Sequence, residues 1–374
     1  MLHLLIGKDW PANRDEILRR VSQDVKNERG NRIMMVPELT SHETERRLCV
    51  WAGDTASRFA EVLSFTRLAR RVAEFTGTGM EECLDNGGRL VAMASGARQL
   101  HSRLKAYASV ETRPEFLIGL IDVVDEFKRC CITSQDLMTA SLAAEGSFAQ
   151  KLEELALILE SYDALCAQGK RDPRDRETQL LELMEDSDFA CNHVFYIDGF
   201  PDFTRQHLAI LEHLIKESPS VTVSMNCDQV DSNLLAFEKA GNTASQIIQC
   251  AKRAGVEVKI EIIREKESPL KLMRSRLFQG SFSDGCAKDC LQVYRSESGY
   301  QECIAASDQI LELVRLPLSG YYGSLRGFAD LSASGGAGVP SVRHPGVSVG
   351  YGGYSAKERH FDCLVRYGGR AGEL

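Results

Sequence analysis

Short apolar runs alternate with stretches of helical period along this chain, and no other feature constrains its fold as strongly. Residues 2–6 (LHLLI) and 32–36 (RIMMV) are apolar runs of strand length, and between them Ile17, Leu18 and Val21 recur on one helical face. Two strands joined through a helix form a βαβ unit, so they lie parallel and the sheet needs a helical layer to cover it. Further apolar runs follow at 59–63 (FAEVL), 194–198 (VFYID), 221–225 (VTVSM) and 256–262 (VEVKIEI), each beside a segment of helical period. After the third run, Phe65, Leu68, Val72 and Phe75 fall at helical spacing, and Ser64 stands where a helix N-cap is wanted. The chain therefore reads as α/β with a parallel sheet.

Between residues 80 and 186 the strand-like runs vanish. Phe116, Leu120, Val124 and Phe127 form one helical stripe, and Leu152, Leu155, Leu159 and Tyr162 another. The expected organisation is a sheet domain built from 1–79 and 187–265, interrupted by an all-helical insertion over 80–186. A further unit over 266–315 is expected to supply a strand and a helix from LQVYRSESGYQECIAASDQILELVR, with Ile304, Ile310, Leu311 and Val314 on one face. Beyond Arg315 the texture changes: thirteen of the thirty glycines fall in the final 59 residues and no apolar period survives. Such a segment builds no core, so 316–374 is expected to be a disordered tail. Loss of period and of apolar content at one residue also fits translation that has left its frame, which would make 266–315 an incomplete domain.

Composition bounds the function. With 43% apolar and 26% charged residues among 374, the chain is of the globular class, and no run reaches the roughly 18 apolar residues of a membrane span. The opening MLHLLIGKDW lacks a basic flank and a small-residue cleavage site, so it reads as a first strand, and a cytoplasmic location without a membrane partner is expected. A net charge of −8 argues against a simple electrostatic nucleic-acid binder while allowing a basic groove within an acidic whole. The twelve cysteines, Cys130 and Cys131 among them, lack the paired short spacing of a zinc site. Cys286, Cys290 and Cys303 come nearest to a cluster but have no companion histidine, so the reading is reduced thiols and no metal.

A phosphate-binding loop needs glycines so that backbone amides close around phosphates, a Lys to reach the terminal phosphates, and a Ser or Thr to hold Mg²⁺. GKDWPANR follows the first strand, where such a loop belongs. With Gly7 at the first position, Ala12, Asn13 and Arg14 stand where Gly, Lys and Ser/Thr are required, and Lys8 is out of register. That pattern is a degenerate nucleotide site. The alternative is an ordinary strand-to-helix turn with Asp9 and Pro11 as cap and first-turn residues. The stretch VFYIDGFPDFTRQ (194–206) carries a second lesion. Asp198 is placed to hold Mg²⁺ through a water, but Gly199 stands where a carboxylate would activate the attacking water. Gly7, Asn13 and Asp198 thus mark a nucleotide-site remnant with no catalytic residue. An intact NTPase would need the Lys and the Glu that are both missing.

The surroundings IDGFPDFTRQ keep the frame of the helicase line DEFQDxxxxQ, with Phe200 and Asp202 in place and Gln206 one position short. Together with LIGKDWPANR, MMVPELTSHETERRL, EVLSFTRLARRV, VDEFKRCCI, KLEELALILESYDAL and ASDQILELVR, taken in order and spacing, the chain over 1–315 resembles the start of the B subunit of the AddAB (RexAB-type) helicase-nuclease. The resemblance implies a superfamily 1 helicase-like module: a RecA-like sheet, a helical insertion and the first elements of a second RecA-like domain. It implies pairing with an AddA-type motor subunit, resection of double-strand breaks for recombination, and scanning of single-stranded DNA for the Chi sequence by a helicase half without ATPase activity. Family cofactors would be ATP, Mg²⁺ and an iron–sulfur (4Fe-4S) cluster, the last belonging to a downstream nuclease part whose cysteines this sequence does not contain.

Single-strand contact is expected on the loops after the sheet strands. VPELTSH offers Glu38, Thr40, Ser41 and His42, and SFTRLARR offers Ser64, Phe65, Thr66, Arg67, Arg70 and Arg71. An exposed aromatic beside arginines is the chemistry required to stack a base and hold phosphates. The competing reading puts Phe65 in the core with Leu68 and makes Arg70 and Arg71 a solvated helix face, in which case the chain is a scaffold for the motor subunit.

Overall fold

The computed structural model describes residues 1–78, 82–108, 113–232, 234–264 and 295–315. Two units are distinguished, 1–266 and 267–374. In the first, six strands form one all-parallel sheet: β1 (Leu2–Ile6), β2 (Arg32–Met35), β3 (Ala60–Leu63), β4 (Val194–Ile197), β5 (Val221–Met225) and β6 (Val258–Ile262), in the order β3-β2-β4-β5-β1-β6. Every apolar run expected to be a strand up to residue 262 is one, trimmed by a residue or two at its ends. The central strands are buried on both sides, β5 throughout even though Thr222 and Ser224 alternate with its apolar residues.

Ten helices accompany this sheet among the described residues. On one face α1 (Trp10–Lys26) and α2 (Ser41–Ala52) bring Ile17, Leu18, Val21 and Leu48 against Leu5, Met34, Val62 and Tyr196. On the other, α3 (Phe65–Thr76), α8 (Arg176–Glu185), α9 (Arg205–Glu217) and α10 (Glu238–Arg253) cover Leu4, Ile33, Phe195, Ile197 and Val223. Local signals set the helix ends. Ser64 caps α3 by accepting from the Arg67 amide at 3.2 Å, Gly77 closes it in the left-handed region, and Thr204 caps α9 by accepting from the His207 amide.

The remaining helices, α4 (Asn86–Gln99), α5 (Pro114–Arg129), α6 (Ser134–Ala143) and α7 (Gly146–Ala167), carry their own apolar cluster around Met93, Leu120, Val124, Leu159 and Tyr162. Phe116 and Phe75, expected on core stripes, are about half exposed at the ends of theirs. Helix α8 lies inside the range read as insertion but packs with Leu180 and Met184 into the sheet layer, so the purely helical part closes near residue 175. The insertion also buries charge. Arg89 of α4 pairs with Asp125 of α5 and Asp172, and the Tyr162 hydroxyl donates to Asp172. Burial opposes the Arg89 charge, yet the bonds to Asp125 and Tyr162 and the charge of Asp172 raise its pKa above the ordinary value.

In the second unit the described residues hold one helix, α11 (Gly299–Arg315), within the expected helical stretch. The strand expected from residue 291, the start of the second RecA-like domain at 266, Cys286 and Cys290, and the tail 316–374 with its frame assignment lie outside the described residues. The architecture that is described is α/β with the layering and parallel sheet of a RecA-like module. Among the described residues, no helix is long and apolar enough to cross a membrane.

Candidate functional site

In an open parallel sheet, ligands gather beyond the carboxyl ends of the strands, at the point where successive connections leave in opposite directions. Here that point lies between β2 and β4, because β2 connects outward to β3 whereas β4 connects the other way to β5. The loops after β1, β2, β3, β4 and β5 share this edge.

The loop after β1 is closed on itself. Asn13 is 1% exposed, and its amide nitrogen donates to the Gly7 carbonyl (2.9 Å) and the Met225 carbonyl (3.2 Å). A Cβ on Gly7 would overlap the Asn13 side-chain oxygen, so the bare glycine is what lets the amide lie across the loop. Asn226, with its amide nitrogen turned to the loop, donates to the carbonyls of Lys8 (3.1 Å) and Gly7 (3.0 Å). The side-chain oxygen of Asn13 is buried without a partner. A neutral amide therefore fills the position from which a Lys would reach phosphate oxygens.

At the end of β4, Asp198 is 3% exposed and accepts a hydrogen bond from the Ser224 hydroxyl. Burial raises its pKa, while the Ser224 bond, the Arg14 charge and the Gly199 amide oppose the rise. Gly199 has φ +80°, and a Cβ there would lie 3.3 Å from Cδ of Pro37 in the loop after β2. These groups do not match a triphosphate with Mg²⁺: the phosphate cation is replaced by a fold-back amide, the metal hydroxyl by Arg14, and the general base by a backbone position that disfavours any side chain. The expected line from Gly7 and Asn13 to Asp198 thus converges on one sheet edge.

The residues singled out for DNA contact divide. Glu38 and His42 are exposed, and Arg70 is exposed on α3. The hydroxyls of Thr40 and Ser41 donate to the carbonyls of Pro37 and Glu38, and Ser64 is taken up as the α3 cap, so these three serve local backbone. Arg67 pairs with Glu45 at 2.6 Å and Arg71 with Glu61 at 3.1 Å. Phe65 is 6% exposed, stacks on His207 with ring centroids 4.0 Å apart and meets Phe200 edge-on at 5.5 Å. Its ring is packed in the core and presents no free face to a base, as its spacing with Leu68 and Val72 allowed.

Sequence reasoning passed over two groupings. Trp10 is 39% exposed at the start of α1, and the Arg14 guanidinium lies 5.7 Å over its ring; the i, i+4 spacing was the available signal. Gln206, the helicase-line glutamine, donates to the Arg174 carbonyl (3.1 Å) and the Thr178 hydroxyl (3.2 Å), while the Arg174 side chain pairs with Asp125 of the insertion at 2.8 Å. It joins the insertion to the sheet layer instead of facing the β1 loop. Among the described residues, no group of three or more acidic, His or Cys side chains is placed to hold a metal, and the described cysteines are free thiols.

Fold and site edge define a RecA-like α/β module whose loop after β1 is filled from within by Asn13. A family model described as ADDB, N-terminal matches residues 5–276, and the chain belongs to that family. Among similar curated proteins is the B subunit of the ATP-dependent helicase/deoxyribonuclease of Thermoanaerobacter sp. (strain X514), 27% identical over 316 residues, which covers 80% of this chain and 27% of that protein. The protein of the same name from Clostridium acetobutylicum is 25% identical over 76% of the chain and 26% of its own length, and that from Anoxybacillus flavithermus 28% over 62% and 21%. The chain thus spans about a quarter of the length of the relatives it matches. Their shared name makes each of them one component of a larger assembly.

Proposed function

We propose that this chain is the helicase-like front of the B component of an AddAB-type enzyme. In this reading it pairs with an AddA-type motor subunit in the cytoplasm, serves DNA-end resection during repair of double-strand breaks by recombination, and receives single-stranded DNA on the carboxyl edge of its sheet while hydrolysing no ATP. The observation that carries the reading is the filled loop: Asn13 occupies the phosphate position and hydrogen-bonds its own loop. The absence of a carboxylate at Gly199 removes the general base as well. Family membership supports the larger process and the partner. The test is an ATPase assay of the purified chain with and without single-stranded DNA, in which turnover stays at background; DNA-stimulated hydrolysis abolished by Asp198→Ala would restore the rival reading of an active NTPase.

A second reading, a scaffold that holds the motor subunit without touching DNA, is favoured by the pairing of Arg67 and Arg71 with glutamates and by the burial of Phe65. Changing Arg67, Arg70 and Arg71 together to Gln decides between the two. A DNA-binding face loses affinity for an oligonucleotide and shows a flatter salt dependence, by about 0.7 in the log–log slope for each phosphate no longer neutralised. A scaffold shows no change.

A further inference from the structure

The run VEVKIEI at 256–262 alternates apolar and charged residues, and β6, which it forms, ends the sheet beside β1. Leu2 donates to the Glu257 carbonyl (3.0 Å) and Ile263 to the Ile6 carbonyl (2.7 Å), with Leu4 in register with Ile260 between them. In a parallel ladder every second residue of a strand bonds to a given neighbour, so Lys259 and Glu261 spend their backbone groups on β1. The amides and carbonyls of Val258, Ile260 and Ile262 point to the open side and have no backbone partner among the described residues. The side chains there are as uncovered as the backbone. Val258 packs against the α10 layer, but Ile260 is 48% and Ile262 77% exposed. Proline and bulges, which commonly guard an edge strand, are missing from β6. A lysine is present, yet Glu261 follows Lys259 on the same face, so the two charges suit a second strand that carries them in reverse order.

We propose that β6 joins two copies of this chain, antiparallel about a two-fold axis at Ile260, so that one sheet runs through both. Backbone and charge fix the same register. With Ile260 opposite its copy, Val258 faces Ile262, and the residues with free amides and carbonyls meet as pairs that exchange both of their bonds. Apolar side chains then lie opposite apolar ones on one face. On the other face Lys259 stands opposite Glu261 at each end, in the non-hydrogen-bonded positions where side chains come closest. Sliding the copies until they centre on Lys259 or on Glu261 would set two lysines or two glutamates face to face, which opposes pairing. A two-fold contact closes on itself, so the product is a dimer and not a fibre. The inference is independent of the functional reading above.

Light scattering of the full chain should show its mass rise from that of one copy toward that of two as concentration passes through the micromolar range. Lys259→Glu, at a side chain 60% exposed, turns both cross-strand pairs repulsive and should weaken the dimer about tenfold. Glu261→Lys should do the same, and an equimolar mixture of the two variants should dimerise again, because every pair between unlike chains is once more of opposite sign. Should Glu261→Lys lose its folded circular dichroism with its bond from Arg20, Ile260→Lys, which sets two cations across the axis, carries the same expectation of weakening. Hydrogen exchange tells the possible occupants of the edge apart. The amides of Val258, Ile260 and Ile262 should gain protection with concentration, while those of Lys259 and Glu261, bonded to β1, are protected throughout. A chain that stays monomeric, or a dimer indifferent to Lys259→Glu and Ile260→Lys, overturns the proposal. Protection of the three outer amides that is independent of concentration overturns it too, since the edge is then paired within its own chain.

Discussion

Asp125 in the helical insertion and Asp198 at the end of β4 are both buried aspartates, and the two regions shift their pKa in opposite directions. Burial works against the charge in each. At Asp125 the hydrogen bonds from Arg174 and Arg89 outweigh it, and the pKa falls below the ordinary value. At Asp198 a hydroxyl, one amide and the charge of Arg14 do not, and the pKa rises. The insertion has kept a complete set of cations because its helices are joined through them. The sheet edge offers no lysine at position 13 and no hydroxyl at position 14, so burial prevails there and the Asp198 pKa stays raised. Burial alone therefore says little about whether a carboxylate is charged; the set of donors around it decides.

The largest effect should come from breaking the charged side of this comparison. Arg89→Met removes the cation shared by Asp125 and Asp172 and should destabilise the protein by about 3–5 kcal/mol, read from urea unfolding. A loss below about 1 kcal/mol would mean the network contributes little beyond what methionine packing restores. Next comes Phe65→Ala, expected to cost about 3 kcal/mol because the ring fills a core niche against His207 and Phe200. An unchanged melting temperature together with lost DNA binding would return Phe65 to a surface role.

The smallest effect, and the most diagnostic, is the pH dependence. An aspartate with a depressed folded pKa adds stability that is present above the unfolded value of about 3.9 and is lost as pH falls through the folded pKa, as at Asp125. Asp198 has the opposite sign: the folded state holds its proton more tightly than the unfolded chain, so stability declines as pH rises from about 3.9 to the raised folded pKa. Asp198→Asn should remove that decline and leave the protein at least as stable at neutral pH, whereas Asp125→Asn should weaken it there. Equal losses from both substitutions, measured by melting at neutral and acidic pH, would erase the contrast.

Much of this was legible in the sequence because it rests on period and composition. Runs such as RIMM announce strands buried on both faces, and the 3.6 period of Phe65, Leu68 and Val72 announces the core side of α3. The absence of a Lys at 13 and of a carboxylate at 199 follows from motif register alone. What fills the gaps does not. That the Asn13 amide turns onto the Gly7 and Met225 carbonyls depends on a rotamer and on a strand more than two hundred residues away. The Arg89 network joins positions on α4, on α5 and after α7 that share no local pattern, and the packing of α8 on the sheet rather than with the insertion follows from which neighbour its apolar face meets in three dimensions. Trp10 and Arg14 stand at helical spacing in the sequence, but motif register at position 14 speaks only of the hydroxyl it lacks, not of the guanidinium it presents.

The backbone at Gly199 has a consequence for descent. With φ +80° and the Pro37 ring 3.3 Å from where a Cβ would stand, an acidic residue restored by one codon change meets a left-handed conformation, at about 1–3 kcal/mol, before it meets any substrate. An acidic side chain at position 199 thus needs a change in the Pro37 loop as well, while Asn13 closes the β1 loop separately from α1. The neighbouring loop therefore acts as a pawl that holds glycine at this position.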